Sequence, residues 1–197
     1  MSTLNYFVSS ARTRLADTND QSYSDASWLE FYNHGQRAIA LTGVFRQKTI
    51  KSVSSTSSVA FSALGSSAHR AFFVYRVDIG GSPIPFSKPD DNVDFTTLSA
   101  GTPTTWMTIG TTLYFNATYT GNYTAWYACI PGEAAALSEE SALPAECYNA
   151  VIDYMCYLAC HQDSDHATAQ QYLDRFNEWA QSVRGIEDIK MYGGGSM

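Results

Sequence analysis

Apolar residues recur at helical spacing near both ends of the chain and lose that spacing in the middle, which limits the possible folds more than any other feature. Leu4, Phe7, Val8, Ala11 and Leu15 predict a helix over 3–16, capped by Ser2 or Thr3. Leu29, Tyr32, Gln36, Ile39 and Ala40 predict a second over 25–42. Ser24 serves as its N-cap, Asp25 sits near the positive end of its dipole, and Gly43 closes it. Gly35 weakens this helix by roughly 1 kcal/mol relative to alanine, which close packing against a neighbour would explain. Helical spacing returns after Pro144, a residue suited to a first turn. Tyr148, Val151, Ile152, Met155, Leu158 and Ala159 share one stripe. After the break at "HQDSDH", Ala169, Tyr172, Leu173, Phe176, Trp179, Ala180 and Val183 form a second, ended by Gly185.

Between these blocks the chain is rich in Ser, Thr, Gly and aromatic residues. "AFFVYRVDI" (71–79), "TTLYFNATY" (111–119) and "YTAWYACI" (123–130) have strand composition. "TGN" at 120–122 predicts a hairpin turn between the last two. The Ser-rich stretch 52–67 fits either a loop or a polar edge strand. The expected fold class is therefore α+β: a four-helix core made of two antiparallel helix hairpins, with an antiparallel β-domain inserted between the pairs. Residues 1–43 and 143–185 would form the core, 44–131 the β-domain, 132–142 a linker, and 186–197 a flexible C-terminal tail. A chain of 197 residues is long enough for one core and a small added module.

No window is long and apolar enough to cross a bilayer, and the first twenty residues lack a basic region followed by an apolar run. Neither a secretory signal nor a membrane partner is expected. The sequons at Asn116 and Asn122 then read as strand chemistry, and Cys129, Cys147, Cys156 and Cys160 as reduced, buried thiols. The net charge of −7 conceals an asymmetry: residues 1–88 carry +4 and residues 89–197 carry −11. An acidic excess argues against general nucleic-acid binding, which needs clustered Lys and Arg. Opposite charges could instead pair copies of the chain.

Alternating oxygens at Asp17, Asn19, Gln21, Tyr23 and Asp25 suggest a calcium loop between helices. An EF-hand counted from Asp17 would need Gly at its sixth position and Glu at its twelfth, and here these are Ser22 and Trp28. The stretch reads better as a capped corner. Cys156 and Cys160 lie four apart beside His161, with His166 nearby, but structural zinc needs ligands from separate turns. No metal and no cofactor is expected. No nucleophile elbow, P-loop or zincin motif occurs, and Ser67 beside His69 is adjacency, not triad geometry. The chain is expected not to be an enzyme. Arg46, Lys48 and Lys51 form a small basic strip for a channel or an interface.

Two blocks carry a resemblance. One is "ARTRLADTNDQSYSDASWLEFYNHGQRAIA", a helix ending in Arg-x-x-Leu-x-Asp, a polar spacer with a Ser-Asp cap, and a helix with Tyr-Asn and Ala-Ile-Ala. The other is "LPAECYNAVIDYMCYLACHQDSDHATAQQYLDRFNEWAQSV", with Leu-Pro, Ile-Asp-Tyr, an acidic break and a long Tyr–Phe helix. In their order and separation they resemble the tailed-bacteriophage head–tail adaptor family (connector or head-completion proteins). The resemblance implies a virion protein of the neck, made in the host cytoplasm, that forms a dodecameric ring beneath the portal. It implies a ring that extends the DNA channel without sequence-specific binding and gives a tail tube or nozzle protein its platform. It also implies a C-terminal segment that contacts the portal, here Ile186, Ile189, Lys190, Met191 and Tyr192. The alternative is a ligand-binding module whose β-domain recognises carbohydrate or peptide through Tyr123, Trp126 and Tyr127. Strand alternation, however, puts Tyr123 and Tyr127 on one face and Trp126 on the other.

Overall fold

The computed structural model describes residues 2–16, 23–66, 69–88, 95 and 98–192, with the backbone alone for 184–192. In chain order these form α1 (Leu4–Arg14), α2 (Asp25–Leu41), β1 (Arg46–Ala60), α3 (Phe61–Leu64), β2 (His69–Ile79), β3 (Ser82–Ile84), β4 (Trp106–Ile109), β5 (Thr112–Pro131), α4 (Tyr148–Gln162) and α5 (His166–Tyr192). Two compact units result: Met1–Val44 with Glu133–Met197, and Phe45–Gly132.

In the helical unit α4 is the hub. Ala150, Val151, Ile152, Met155, Cys156, Ala159 and Cys160 are all buried, so α4 is apolar on more than one side. Such a helix takes neighbours around it, and α1, α2 and α5 all pack on α4 while α1 and α2 touch each other little. The expected four-helix core of two antiparallel hairpins, with a β-domain inserted between the pairs, is therefore not what forms. The described residues make five helices and a curled five-stranded antiparallel sheet, a mixed α+β fold. Hairpin pairing assumed one apolar stripe per helix, and α4 breaks that assumption. α5 also runs through Gly185, where its end was expected, to Tyr192.

Local signals succeed where a side chain bonds within its own turn. Ser24 caps α2, its Oγ accepting from the Ser27 N–H at 3.2 Å. α1 behaves differently. Thr3 holds the cap position but makes no capping bond. Instead the N–H groups of Leu4 and Asn5 donate to the carbonyls of Glu139 and Leu137, at 2.9 and 3.0 Å. The 133–143 segment is thus built into the unit. The Asn33 amide pairs with the backbone of Ala134 in both directions (3.0 and 2.9 Å), and Tyr32 bonds Ser141 at 2.8 Å. Gly35 lies where α2 crosses α4. A Cβ there would come within 2.7 Å of Val151 Cγ2, so only glycine allows this approach.

In the sheet unit β5 is the spine. It is one 20-residue strand, and no hairpin interrupts it at 120–122. β1 pairs along its length on one edge. On the other edge β4 takes the first half and β2 the second, with β3 outside β2. Gly121 stays in the strand at φ 154°, and a Cβ there would collide with the Tyr119 ring. Opposite it β1 carries a bulge at Ser55 (φ 48°), whose N–H donates to Thr120 Oγ1 at 2.9 Å. The Ser-rich stretch thus resolves into an edge strand to Ala60 followed by α3.

Candidate interaction surface

Two bulges in β2 decide which side chains reach the outer face of the sheet. Three residues of β2 oppose two of β5 at each bulge, between Ala71 and Phe73 and between Val74 and Arg76. Arg70, Phe73 and Arg76, three apart, consequently face the same way, opposite Ile130, Ala128 and Trp126. Ala71, Val74 and Val77 turn to the core opposite Cys129, Tyr127 and Ala125. Strict alternation would have sent Arg70 and Phe73 to opposite faces.

Across β1, β5 and β2 the outer face forms rows: Arg46–Ala128–Phe73, Lys48–Trp126–Arg76 and Ile50–Thr124–Asp78. The Lys48 ammonium and the Arg76 guanidinium lie 5.1 and 5.3 Å from the Trp126 ring centre. Arg46 lies 5.1 Å from that of Tyr75. Each such contact contributes about 0.5–1 kcal/mol at an exposed site. Arg76 donates twice to Asp78, at 2.6 and 3.0 Å, and Trp126 Nε1 donates to the same carboxylate at 3.1 Å. Burial raises the pKa of Asp78, but the hydrogen bonds from Arg76 and Trp126, with the Arg76 charge, outweigh it and hold the acid below its ordinary value. Ile50 and Phe73 are 69% and 55% exposed between these cations. Sequence reading missed Ile50, Phe73, Arg76 and Asp78. The alternating Arg76-x-Asp78 pair was a usable sign, whereas Phe73 was hidden by the bulge.

The basic strip is divided. Arg46 and Lys48 belong to the outer face, while Lys51 pairs opposite Tyr123 on the other. Tyr123 and Tyr127 are 1% and 3% exposed and fill the core, where burial pushes the Tyr123 hydroxyl up to about 12. An aromatic binding platform of Tyr123, Trp126 and Tyr127 therefore does not assemble. Asn116 and Asn122 are strand residues: Asn116 Oδ1 accepts from the N–H groups of Thr104 and Thr105, and Asn122 Oδ1 from the Ser52 hydroxyl.

Residues 17–22 of the calcium-like stretch, and Ser67, lie outside the described residues. So do the side chains of Ile186, Ile189, Lys190, Met191 and Tyr192, whose backbone is helical. All four cysteines are buried and free. Burial raises the Cys147 and Cys156 thiols to about 11 and about 12, which leaves almost no thiolate at neutral pH. Among the described residues no three His, Cys, Asp or Glu side chains gather as a metal ion would need. No helix among them is long and apolar enough to cross a membrane.

No curated protein matches the chain. The family model described as SU10 adaptor protein matches residues 2–194, spanning the helical unit and the sheet unit alike. The order of helices and strands that carried the resemblance to phage adaptors is thus matched along nearly the whole chain, which belongs to the SU10 adaptor protein family of phage head–tail adaptors.

Proposed function

We propose that the chain is a structural, non-enzymatic protein of the virion neck, a ring that docks on the portal, extends the DNA channel and carries the tail. The family match over residues 2–194 carries this reading. The chemistry of the chain is compatible with it. A net charge of −7 suits a conduit that should not hold its DNA. Ring subunits meet through unlike faces, and the helical unit is strongly acidic while Arg46, Lys48, Arg70 and Arg76 concentrate on one sheet face. Portal contact falls to the end of α5, through Ile186, Ile189, Lys190, Met191 and Tyr192.

The reading is tested by mixing the purified chain with its portal and examining the particles by electron microscopy. A ring seated on the portal is expected, and a chain that stays strictly monomeric in the portal's presence refutes the reading. Deleting residues 186–197 should leave cooperative thermal unfolding intact, with the helical ellipticity lowered only by the end of α5 removed, while weakening portal docking at least tenfold. Undiminished docking moves the contact elsewhere on the chain.

A further inference from the structure

Lys and Arg are the minority charge in this chain, 12 against 19 Asp and Glu. The five strands reverse that balance, with five Lys or Arg and a single acid, Asp78. Four of the five cations, Arg46, Lys48, Arg70 and Arg76, are exposed on the outer face. Asp78 is 7% exposed and turns its carboxylate to Arg76 and Trp126, so it answers one of the four. Lys48 and Arg70 have no carboxylate within ion-pair reach among the described residues. The face is thus a local positive patch on an acidic chain, the electrostatic footprint of a phosphate-binding surface.

The layout of the patch separates nucleic acid from a protein partner. Ile50 and Phe73 lie in different rows, with Lys48, Trp126 and Arg76 in the row between them. They form no joint apolar centre of the kind that a protein interface buries, and single exposed apolar residues are ordinary on a surface. The cations are spread as well. Arg70 and Arg76 stand two rows apart on β2, about 13 Å at strand spacing, and Lys48 lies two strands from Arg76, about 10 Å. A protein would need carboxylates at matching positions. A DNA duplex carries one charge for about every 1.7 Å of its axis, so it offers phosphates to such a patch in any register.

We infer that the outer sheet face, through Arg46, Lys48 and Arg70, is a contact for the phosphate backbone of duplex DNA, made without regard to sequence. Arg76, already held by Asp78, adds less. The inference rests on the conduit reading above, which brings DNA past the chain. A contact with about three phosphates is weak and falls about fortyfold between 50 and 200 mM salt. The acids on the rest of the chain repel the duplex, so DNA is guided at one face and stays free to slide.

The test follows the anisotropy of a fluorescent mixed-sequence duplex titrated with the full chain across a salt series. Wild type is expected to bind, with log affinity falling against log salt at a slope of about −3. Lys48→Gln and Arg70→Gln should each weaken binding at least threefold and reduce the slope by about 1, with unchanged circular dichroism. Lys51→Gln, on the opposite face of β1, should leave affinity and slope unchanged. Phe73→Ser should do the same, because phosphate contacts use the cations. No duplex binding by wild type at the lowest salt overturns the inference, as does undiminished binding by Lys48→Gln and Arg70→Gln. A loss with Lys51→Gln equal to that with Lys48→Gln assigns binding to overall charge and overturns it too. A loss with Phe73→Ser as large as with Arg70→Gln points to the stacked bases of a single strand and overturns the duplex assignment. Lys48→Glu chains that form no ring on the portal, while wild type forms one but binds no duplex, assign the face to a protein contact instead. The ring reading fails separately, when wild type forms no ring on its portal.

Discussion

Replacing Gly35 with alanine sets two opposing effects of known size against each other. Alanine in a helix interior is favoured over glycine by about 1 kcal/mol, so on local grounds the variant should be more stable. The tertiary contact opposes this. The new Cβ would lie 2.7 Å from Val151 Cγ2, where carbon atoms rest at about 3.5–4.0 Å. Val151 is fully buried and β-branched, so it has little room to turn. Either α2 and α4 separate by close to 1 Å or Val151 leaves its rotamer, and overpacking of this kind costs roughly 1–3 kcal/mol. Gly35→Ala should therefore destabilise the helical unit by about 0–2 kcal/mol. Val151→Ala alone should cost about 2–3 kcal/mol through lost burial and the cavity left behind. In that background the clash is gone. The next atoms from the alanine methyl group, Val151 O and the Tyr154 Cβ, stand at 3.4 and 3.7 Å in ordinary contact. Gly35→Ala should then stabilise by about 1 kcal/mol, a reversal of sign. Urea unfolding followed by ellipticity at 222 nm measures all four corners of the cycle. A stabilising Gly35→Ala in the wild-type background, or strict additivity, refutes the argument.

Two further outcomes concern the sheet. Because the folded state holds Asp78 below its unfolded pKa of about 3.9, its contribution is complete above that value and is lost as pH falls through the folded pKa. Asp78→Asn should destabilise by roughly 1–3 kcal/mol at neutral pH and flatten the acid limb of stability below about pH 4. An unchanged acid limb would show that the bonds from Arg76 and Trp126 do not favour the ionised form. Tyr123→Phe removes a buried hydroxyl that has no hydrogen-bond partner among the described residues. It should be neutral or stabilising by up to about 1 kcal/mol in denaturant titrations, and a clear loss of stability would mean the hydroxyl is satisfied in solution.

The features legible in the sequence are those whose cause is local. Ser24 caps α2 because its side chain reaches an N–H three residues ahead. Gly35 could be read as a close-packing site because a mid-helix glycine needs a compensating reason, and Val151 supplies it. The burial of Tyr123 and Tyr127 together, with Trp126 on the opposite face, followed from the two-residue period of an unbroken strand. The basic strip divides for the same reason. Arg46 and Lys48 are two apart, while Lys51 is an odd number of residues from Lys48 and turns away.

What tertiary structure alone decided depends on partners distant in the chain. "TGN" has turn composition, yet β1 pairs straight past it and keeps β5 continuous. Nothing within β2 marks its two bulges, because a bulge is a mismatch of residue count between two strands. Those bulges place Arg70, Phe73 and Arg76 on one face and so create the surface. The Thr3 position of α1 is capped by carbonyls more than 130 residues away, in a stretch that reads locally as a linker. α4 is the hub, and not one arm of a hairpin, because three neighbours compete for its several apolar sides. Periodicity determined which elements this protein has, since hydrogen bonds within a turn and alternation along a strand are short-range effects. Their arrangement was decided by register and packing, which depend on the whole chain at once.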